Sequence, residues 1–433
     1  MKKTIRIVTA ALVIICVGTF VFAAGQQEPI TAAAGIEAEV TFWTFIEIHQ
    51  KFYESMAQKF NEENPKTKLV LNTSTIPMNQ MHDQLLLSLA SGKGAPDFVD
   101  IMIRWAGMFY KGNPQYFVSM SDIVAKQGGV MHPERMKTYT DPNGNVLGLP
   151  THLGAGVMYY NKPAFDKAGI NVDEIKYYDD WVEVGKKMHR PQENVWFTAQ
   201  HYAFAREYLL YTMQKGGYMI DPKGNVTVDQ KPSIDALQFI YDTLHKHKIA
   251  EIAPNGSIYD PAFFDFMNKG GVLALPHAQW YTSRFRTFMP DLSGKIVMRP
   301  LPLWRDSKIE SASMGGTGTA ITAQSKNVDV VKAFLEYCKL SYEGNVLIAT
   351  EFGFDPPRMD VYDDPRVSVP DPYFQNEVTM NVIKGVLDNF ISKPVWEKST
   401  DVQTEISRDI LPEVYAGRLG PATAMKNLAA KYR

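Results

Sequence analysis

Cysteine is almost absent from this 433-residue sequence, which contains only Cys16 and Cys338. Cys16 lies in an N-terminal segment that we expect to be removed, so the mature chain would keep Cys338 alone and form no internal disulfide. Cys338 continues the apolar pattern of a predicted helix, where a buried and inert thiol is the usual outcome. Covalent cross-links are therefore excluded as the source of stability, and a hydrophobic core must supply it.

Catalytic and metal-binding motifs are also lacking. The sequence contains no G-x-S-x-G and no H-E-x-x-H, and its nine histidines show no metal-ligand spacing. His245 and His247 are two residues apart on a predicted helix, so they point to different sides. We predict no metal, no cofactor and no enzymatic activity. Acidic residues are nevertheless plentiful, so a glycosidase-like pair of carboxylates stays open as an alternative.

Excess positive charge is missing, and long apolar runs are missing beyond the first residues. Lys2, Lys3 and Arg6 precede an apolar run over residues 7–22, which small residues close at Ala23 and Ala24. This pattern predicts a secretory signal peptide over residues 1–24, cleaved after Ala23 or Ala24; an uncleaved membrane anchor is the alternative. A tether over residues 25–36 would follow, and the mature protein would be periplasmic.

Removing the signal peptide takes away three basic and no acidic residues. The formal charge falls from −2 to −5, which argues against nucleic acid as a partner. Hydrophobic content of 45% and charged content of 21% are typical of a globular protein. At this length the chain can build two or three domains, each with a core.

Alternating strands and helices fill the rest of the chain. A strand from Glu39, a helix over residues 46–60 and a second strand ending at Leu71 form a β-α-β opening, which predicts a parallel sheet. Further amphipathic helices are predicted over residues 78–91 and 233–248. The turn D-P-N-G-N at Asp141 and its near copy at Asp221 predict two hairpins.

Residues 143–170 organise this pattern. A short strand reaches Pro150, which cannot donate a backbone hydrogen bond and so favours a crossing or an edge position. A second strand follows over residues 157–160, and a helix begins at Asn161, a plausible cap residue. The segment "GLPTHLGAGVMYYNKPAFDKAGI" also resembles a signature of the extracellular solute-binding proteins of ABC importers, the sugar-binding family that includes maltose-binding proteins.

Other segments resemble the same family in the same order. They are "VTFWTF", the helix around Trp181, the segment from Phe263 to Trp280, and "GGTGTAITAQSKNVDVVKAFLEYC". The resemblance implies an α/β fold of two lobes, the periplasmic-binding-protein or Venus flytrap fold, with a ligand cleft between the lobes. It assigns lobe one to residues 37–149 and 296–352, and lobe two to residues 151–292 and 354–433.

Aromatic and polar residues recur where the predicted strands end, and ligands of open α/β sheets bind beyond the carboxyl ends of strands. Aromatic rings cover the C–H faces of sugars, and polar side chains bind the hydroxyls. From position and resemblance together we predict a ligand site formed by Trp43, Thr44, Glu47, Arg104, Trp105, His152, Gln279, Trp280, Gly315 and Gly316.

The resemblance implies a function in uptake. The protein would capture a sugar or oligosaccharide between its lobes as a monomer and deliver it to the permease subunits of an ABC importer. Two alternatives remain: a secreted carbohydrate-active enzyme, and a sensor-type binding protein for another polar solute.

Overall fold

The computed structural model describes residues 36–433, and β-strands from distant parts of the chain form its central sheets. The strands are β1 (Ile36–Thr44), β2 (Thr67–Thr75), β3 (Phe98–Met102), β4 (Leu149–Pro150), β5 (Gly156–Asn161), β6 (Thr198–Gln200), β7 (Ala250–Ile252), β8 (Ala274–Ala278), β9 (Ile296–Arg299), β10 (Ser311–Ala312), β11 (Thr317–Ile321) and β12 (Phe390–Ile391).

Helices cover both sheets and make up most of the C-terminal third. The α-helices are α1 (Glu47–Glu63), α2 (Met78–Ser91), α3 (Ile103–Ala106), α4 (Ser121–Ala125), α5 (Pro133–Thr138), α6 (Lys162–Lys167), α7 (Tyr178–Met188), α8 (Arg206–Gln214), α9 (Lys231–His245), α10 (Pro261–Asn268), α11 (Thr282–Phe288), α12 (Val328–Leu335), α13 (Tyr342–Phe352), α14 (Thr379–Val386), α15 (Ser399–Glu405), α16 (Leu411–Tyr415) and α17 (Pro421–Tyr432).

The first sheet has five strands in the order β2-β1-β3-β11-β4. The predicted β-α-β opening is confirmed, because β1 and β2 are parallel and α1 connects them. Strand β4 lies at the edge, where Pro150 pairs with Gly318 and its missing N–H disturbs no inner ladder. All five residues of β3 are buried, and one of them, Asp100, is charged.

The second sheet has three antiparallel strands in the order β8-β5-β9. The chain passes from the first sheet to the second between β4 and β5, which is the crossing that Pro150 predicts. The hairpin turns are confirmed as well: Asp141 and Asp221 each accept hydrogen bonds from the backbone N–H groups two and four residues later.

Each sheet has its own core, which gives the molecule two lobes. Phe42, Phe60 and Phe334 belong to a buried cluster on the first sheet. Trp181 and Leu237 belong to a different cluster on the second sheet. The burial of apolar side chains is the main stabilising contribution to each of them.

One predicted lobe boundary differs from the observed strand pairing. Lobe one was expected to resume at residue 296, but β9 pairs with β5 in the second sheet over residues 296–299. The chain returns to the first sheet only at β11. Strand pairing over such a distance is a tertiary contact, and no local pattern encodes it.

Some predictions concern parts of the chain for which no structure is described. The signal peptide of residues 1–24 lies outside the described residues, and so does the tether of residues 25–36 apart from Ile36, which begins β1. Within residues 36–433, no helix combines the length and the apolar character that a membrane crossing requires.

Candidate functional site

A cleft of about 630 Å³ lies between elements of the two lobes. One wall comes from the first lobe, with residues 45–49 after β1, Met102 at the end of β3 and Gly316 beside β11, and Phe354, which follows α13, also lines the cleft. The facing wall comes from the second lobe, with Phe204, Arg206, Tyr259, Trp280 and Arg284. The cleft therefore lies at the strand ends where ligands of α/β folds bind.

Aromatic rings surround one charged group in this cleft. The guanidinium carbon of Arg206 lies 4.9 Å from the ring centroid of Trp280, 5.0 Å from that of Phe204 and 5.4 Å from that of Tyr259. Such distances allow cation–π attraction. The rings of Tyr259 and Trp280 are nearly parallel, at 17° and 6.5 Å between centroids. The cleft thus presents flat apolar faces beside the N–H donors of the Arg206 guanidinium.

The backbone before Arg206 is unusual. Phe204 and Ala205 have φ values of 64° and 50°, in the left-handed region that residues other than glycine rarely adopt. This conformation costs free energy, and strained residues of this kind cluster at functional sites. It is held in place by Gln403, whose Nε2 donates to the Phe204 carbonyl at 2.6 Å.

Asp100 anchors the floor of the cleft. This buried carboxylate accepts hydrogen bonds from Thr44 at 2.8 Å and from Thr319 at 2.7 Å, and it lies 2.8 Å from Nδ1 of His49, which lines the cleft. Burial alone would raise the pKa of Asp100, but His49 and the hydrogen bonds outweigh it and lower the pKa. The network ties β1, β3, β11 and α1 together beneath the site.

Two histidines beside the cleft have pKa values below that of a solvated histidine. Burial lowers the pKa of His152 well below its usual value, and the nearby Arg135 lowers it further. Burial likewise lowers the pKa of His277, whose Nε2 lies 2.8 Å from the Tyr259 hydroxyl. Both rings are therefore neutral at physiological pH, and His277 positions a cleft aromatic.

Four of the ten residues predicted for the site line the cleft. They are Glu47, His152, Trp280 and Gly316. Trp280 also has a buried indole N–H without a hydrogen-bond partner in residues 36–433. A buried donor of this kind is a natural contact for a ligand oxygen.

Two further predicted residues lie next to the cleft and not in it. Arg104 and Gly315 line a separate, smaller cavity of about 20 Å³. Arg104 donates from Nη2 to the Thr404 hydroxyl.

The other four predicted residues have structural surroundings. Thr44 is fully buried and bonded to Asp100. Trp105 is 7% exposed and stacks on His82 at 4.2 Å, because α3 begins at once after β3 and turns the ring inward. Gln279 is 1% exposed and donates to the Gly353 carbonyl at 2.6 Å. Trp43 is half-buried against the core cluster that contains Trp105.

The sequence analysis missed Phe204, Arg206, Tyr259, Arg284 and Phe354. They lie on loops and helix starts in several distant parts of the chain, and no motif marks them. Arg206 could have been suspected only from its place at the beginning of an amphipathic helix.

The lining is poor in acidic groups. Among its residues within the described chain, Glu47 is the single carboxylate, whereas glycoside hydrolysis ordinarily needs a pair. No group of three or more His, Cys, Asp or Glu within residues 36–433 is placed to hold a metal ion. The arrangement can bind a polar molecule by stacking and hydrogen bonding.

Comparisons with known proteins agree with this geometry. The sequence profile of the family described as "Bacterial extracellular solute-binding protein" matches residues 46–340. An arabinooligosaccharide-binding protein of Halalkalibacterium halodurans is 37% identical to this chain, over 87% of the chain and 84% of the relative. A protein of the same description from Bacillus subtilis is 35% identical, over 84% of each chain.

Solved structures share the fold at low identity. The sugar-binding protein MalE of Xanthomonas citri aligns with a TM-score of 0.75 at 18% identity, covering 91% of this chain and 96% of its own. Maltose-bound MalE3 of T. maritima aligns with a TM-score of 0.70 at 21% identity, covering 91% and 98%. The two-lobe fold of maltose-binding proteins is therefore shared, and the chain belongs to the bacterial extracellular solute-binding proteins.

Proposed function

We propose that this protein is the solute-binding component of an ABC importer and that it binds an arabinooligosaccharide in the cleft between its lobes. The observation that carries the proposal is the aromatic cleft that both lobes line, with Trp280 and Tyr259 beside Arg206. The two arabinooligosaccharide-binding relatives support the choice of sugar.

The cleft residues suit a chain of pentose rings. Sugar C–H groups would pack on Trp280 and Tyr259, because flat aromatic faces exclude water from apolar surface. Hydroxyl groups would accept hydrogen bonds from Arg206, Arg284 and the Trp280 indole N–H. Glu47 would accept hydrogen bonds from sugar hydroxyls.

Ligand capture would close the lobes. Only a closed arrangement contacts the sugar from both walls, so the ligand shifts the open–closed equilibrium toward the closed form.

We propose lobe one as residues 37–149 and 317–352, and lobe two as residues 151–299 and 354–433. The monomeric closed form would dock on permease subunits, with ATP hydrolysis on a separate chain. Nucleic acid is not a proposed partner, because the mature chain has a net charge of −5 and sugar uptake requires no basic patch.

Export is part of the proposal. Residues 1–24 would direct the chain across the inner membrane and be cleaved after Ala23 or Ala24, which leaves the mature protein in the periplasm. N-terminal sequencing of the recovered protein checks this, and a protein that begins at Met1 in the membrane fraction would contradict it.

Calorimetric titration tests the ligand. Purified protein is titrated with arabinotriose and arabinotetraose, and with maltotriose as a matched neutral oligosaccharide. We expect arabinooligosaccharides to bind with a dissociation constant of about 10 µM or below, that is, at least about 7 kcal/mol. Binding of maltotriose alone would keep the uptake function and overturn the arabinose assignment, whereas heat from none of them would overturn the assignment of this oligosaccharide site.

A further inference from the structure

A second, much smaller cavity adjoins the cleft. Its volume of about 20 Å³ suits one water-sized group, and it shares Met102, Phe204 and Arg206 with the cleft wall. Arg104 and Lys393 complete its charged lining. Three cations from distant parts of the chain therefore surround one small space.

None of the three cations has a carboxylate in ion-pair contact within residues 36–433. Lys393 is 8% exposed, and its Nζ donates to Oε1 of Gln403 at 2.8 Å. Arg206 donates from Nη1 to the Met314 carbonyl at 3.2 Å. Arg104 donates to Thr404, and its buried Nε has no partner among the described residues. Neutral groups thus solvate these charges only in part.

The charges are close enough to affect one another. The guanidinium carbons of Arg104 and Arg206 both lie within 6 Å of the Phe204 ring centroid, at 5.9 Å and 5.0 Å. Burial lowers the pKa of Lys393, the three arginines Arg206, Arg104 and Arg135 lower it further, and together they bring it to about 7. Arg104 and Arg206 are partly buried and Lys393 is buried, and the charge that offsets any of them is Asp401, which acts on Arg104 without an ion-pair contact. Like charges in such surroundings are costly, and a bound anion would remove most of that cost.

We propose that this cavity is an anion-binding site for one small anionic group, a halide or a single carboxylate oxygen, held by Arg104, Arg206 and Lys393. A free inorganic anion such as chloride is one source. The other is a carboxylate carried by the ligand itself, such as a uronic acid unit, which would approach from the cleft beside Arg206, a residue that lines both cavities. Charge-assisted hydrogen bonds from the three cations would hold either group.

The site spans both lobes. Arg104 lies on α3, directly after the first sheet, whereas Arg206 begins α8 in the second lobe and Lys393 precedes α15. An anion here would link these elements beside the sugar cleft. The proposal goes beyond the sugar-uptake function and does not depend on which neutral sugar is bound.

Thermal unfolding tests the site in the ligand-free protein. Melting temperatures are compared at equal ionic strength in sodium chloride, in sodium glucuronate, and in the sodium salt of the bulky sulfonate MES with glucose added. An anion that binds only the folded state stabilises it. We expect a saturable rise of about 1–3 °C in chloride or glucuronate relative to MES.

Variants test whether the rise in melting temperature comes from an anion in this cavity. Lys393→Met should abolish the rise, whereas Lys398→Met, which removes the same charge from an exposed residue of the same segment, should retain it. If Lys393→Met does not fold, Arg104→Met removes a cation from the opposite wall instead. A rise in chloride that equals the rise in glucuronate assigns a free anion, and a larger rise in glucuronate assigns a sugar carboxylate.

Two results would overturn the site. One is an identical wild-type melting temperature in all three solutions, which indicates water alone in the cavity. The other is an anion effect that survives in the cavity variant. Binding of arabinotriose is measured in a separate calorimetric titration in MES. Failure of the sugar assignment and failure of the anion site therefore show up in different experiments.

Discussion

The guanidinium of Arg206 faces the ring of Trp280 at 4.9 Å, and within residues 36–433 it makes a single hydrogen bond, to the Met314 carbonyl. Most of its N–H donors therefore remain available to a ligand. Arg206→Met keeps the length of the side chain and removes these donors, so we expect the affinity for oligosaccharide to fall about tenfold or more. Calorimetry measures the change. Arg418→Met, an exposed arginine paired with Glu413, is the control, and an unchanged affinity in Arg206→Met would remove Arg206 from the site.

Two tryptophans of the second lobe should respond in opposite ways to truncation. Trp280 is half-buried and lines the cleft, whereas Trp181 is fully buried in the core. Trp280→Ala should reduce the affinity by about tenfold or more, with a modest loss of stability. Trp181→Ala should lower the free energy of unfolding by about 3–5 kcal/mol and leave the affinity of the folded protein unchanged. Calorimetric titration and thermal melting of both variants test these expectations. Normal affinity with a sharply lower melting temperature in Trp280→Ala would place Trp280 in the core.

The helices and the first crossing could be predicted because their signals are local. The helix predicted over residues 78–91 is observed with those bounds, since its apolar residues recur with helical spacing along one stretch. Pro150 marked an edge strand through its own missing donor. Strand β9 could not be placed, because its partner β5 lies more than 100 residues away in the sequence.

The site was harder to predict than the fold. Trp105 follows a strand end as Trp280 does, yet the immediate start of α3 turns Trp105 onto His82, whereas Trp280 lines the cleft. Arg206 reaches the cleft through left-handed backbone at Phe204 and Ala205, which no propensity of these residues predicts. Strand ends thus indicate the edge of the sheet that binds ligand, and tertiary contacts decide which side chains face it.

Gly316 should tolerate no side chain. Its φ is 130°, and a Cβ atom would lie 1.5 Å from Nη2 of Arg135, a buried residue that also donates to the Gly315 carbonyl at 2.9 Å. Gly316→Ala should therefore lower the free energy of unfolding by about 1–3 kcal/mol. Gly385→Ala is the matched control, because its added methyl meets nothing within 4 Å and alanine favours the helix. Equal melting temperatures for Gly316→Ala and the wild type would show that the backbone here relaxes freely.

Stability should rise between pH 7 and pH 10. Burial lowers the pKa of Lys393 to about 7 and that of Lys339 to about 8, whereas both lysines keep their protons to about pH 10.4 in the unfolded chain. Over this window the unfolded state binds more protons than the folded state, so the free energy of unfolding increases with pH. Buried tyrosines such as Tyr53, whose pKa burial raises, oppose the gain only above about pH 10.

The lysine at the small cavity should account for much of this slope. The groups around Lys393 are Arg104, Arg135, Arg206 and the neutral Gln403, so one hydrogen bond to an amide oxygen opposes the burial and the repulsion by three cations. Lys393→Met should melt about 3 °C or more above the wild type at pH 7 in a bulky-anion buffer and show a flatter pH profile, because it removes a buried unpaired cation. Lys398→Met should keep the wild-type slope. An unchanged slope of stability against pH in Lys393→Met would mean that Lys393 keeps its proton throughout this range. If an anion neutralises Arg104, Arg206 and Lys393, chloride should flatten the pH profile of the wild type.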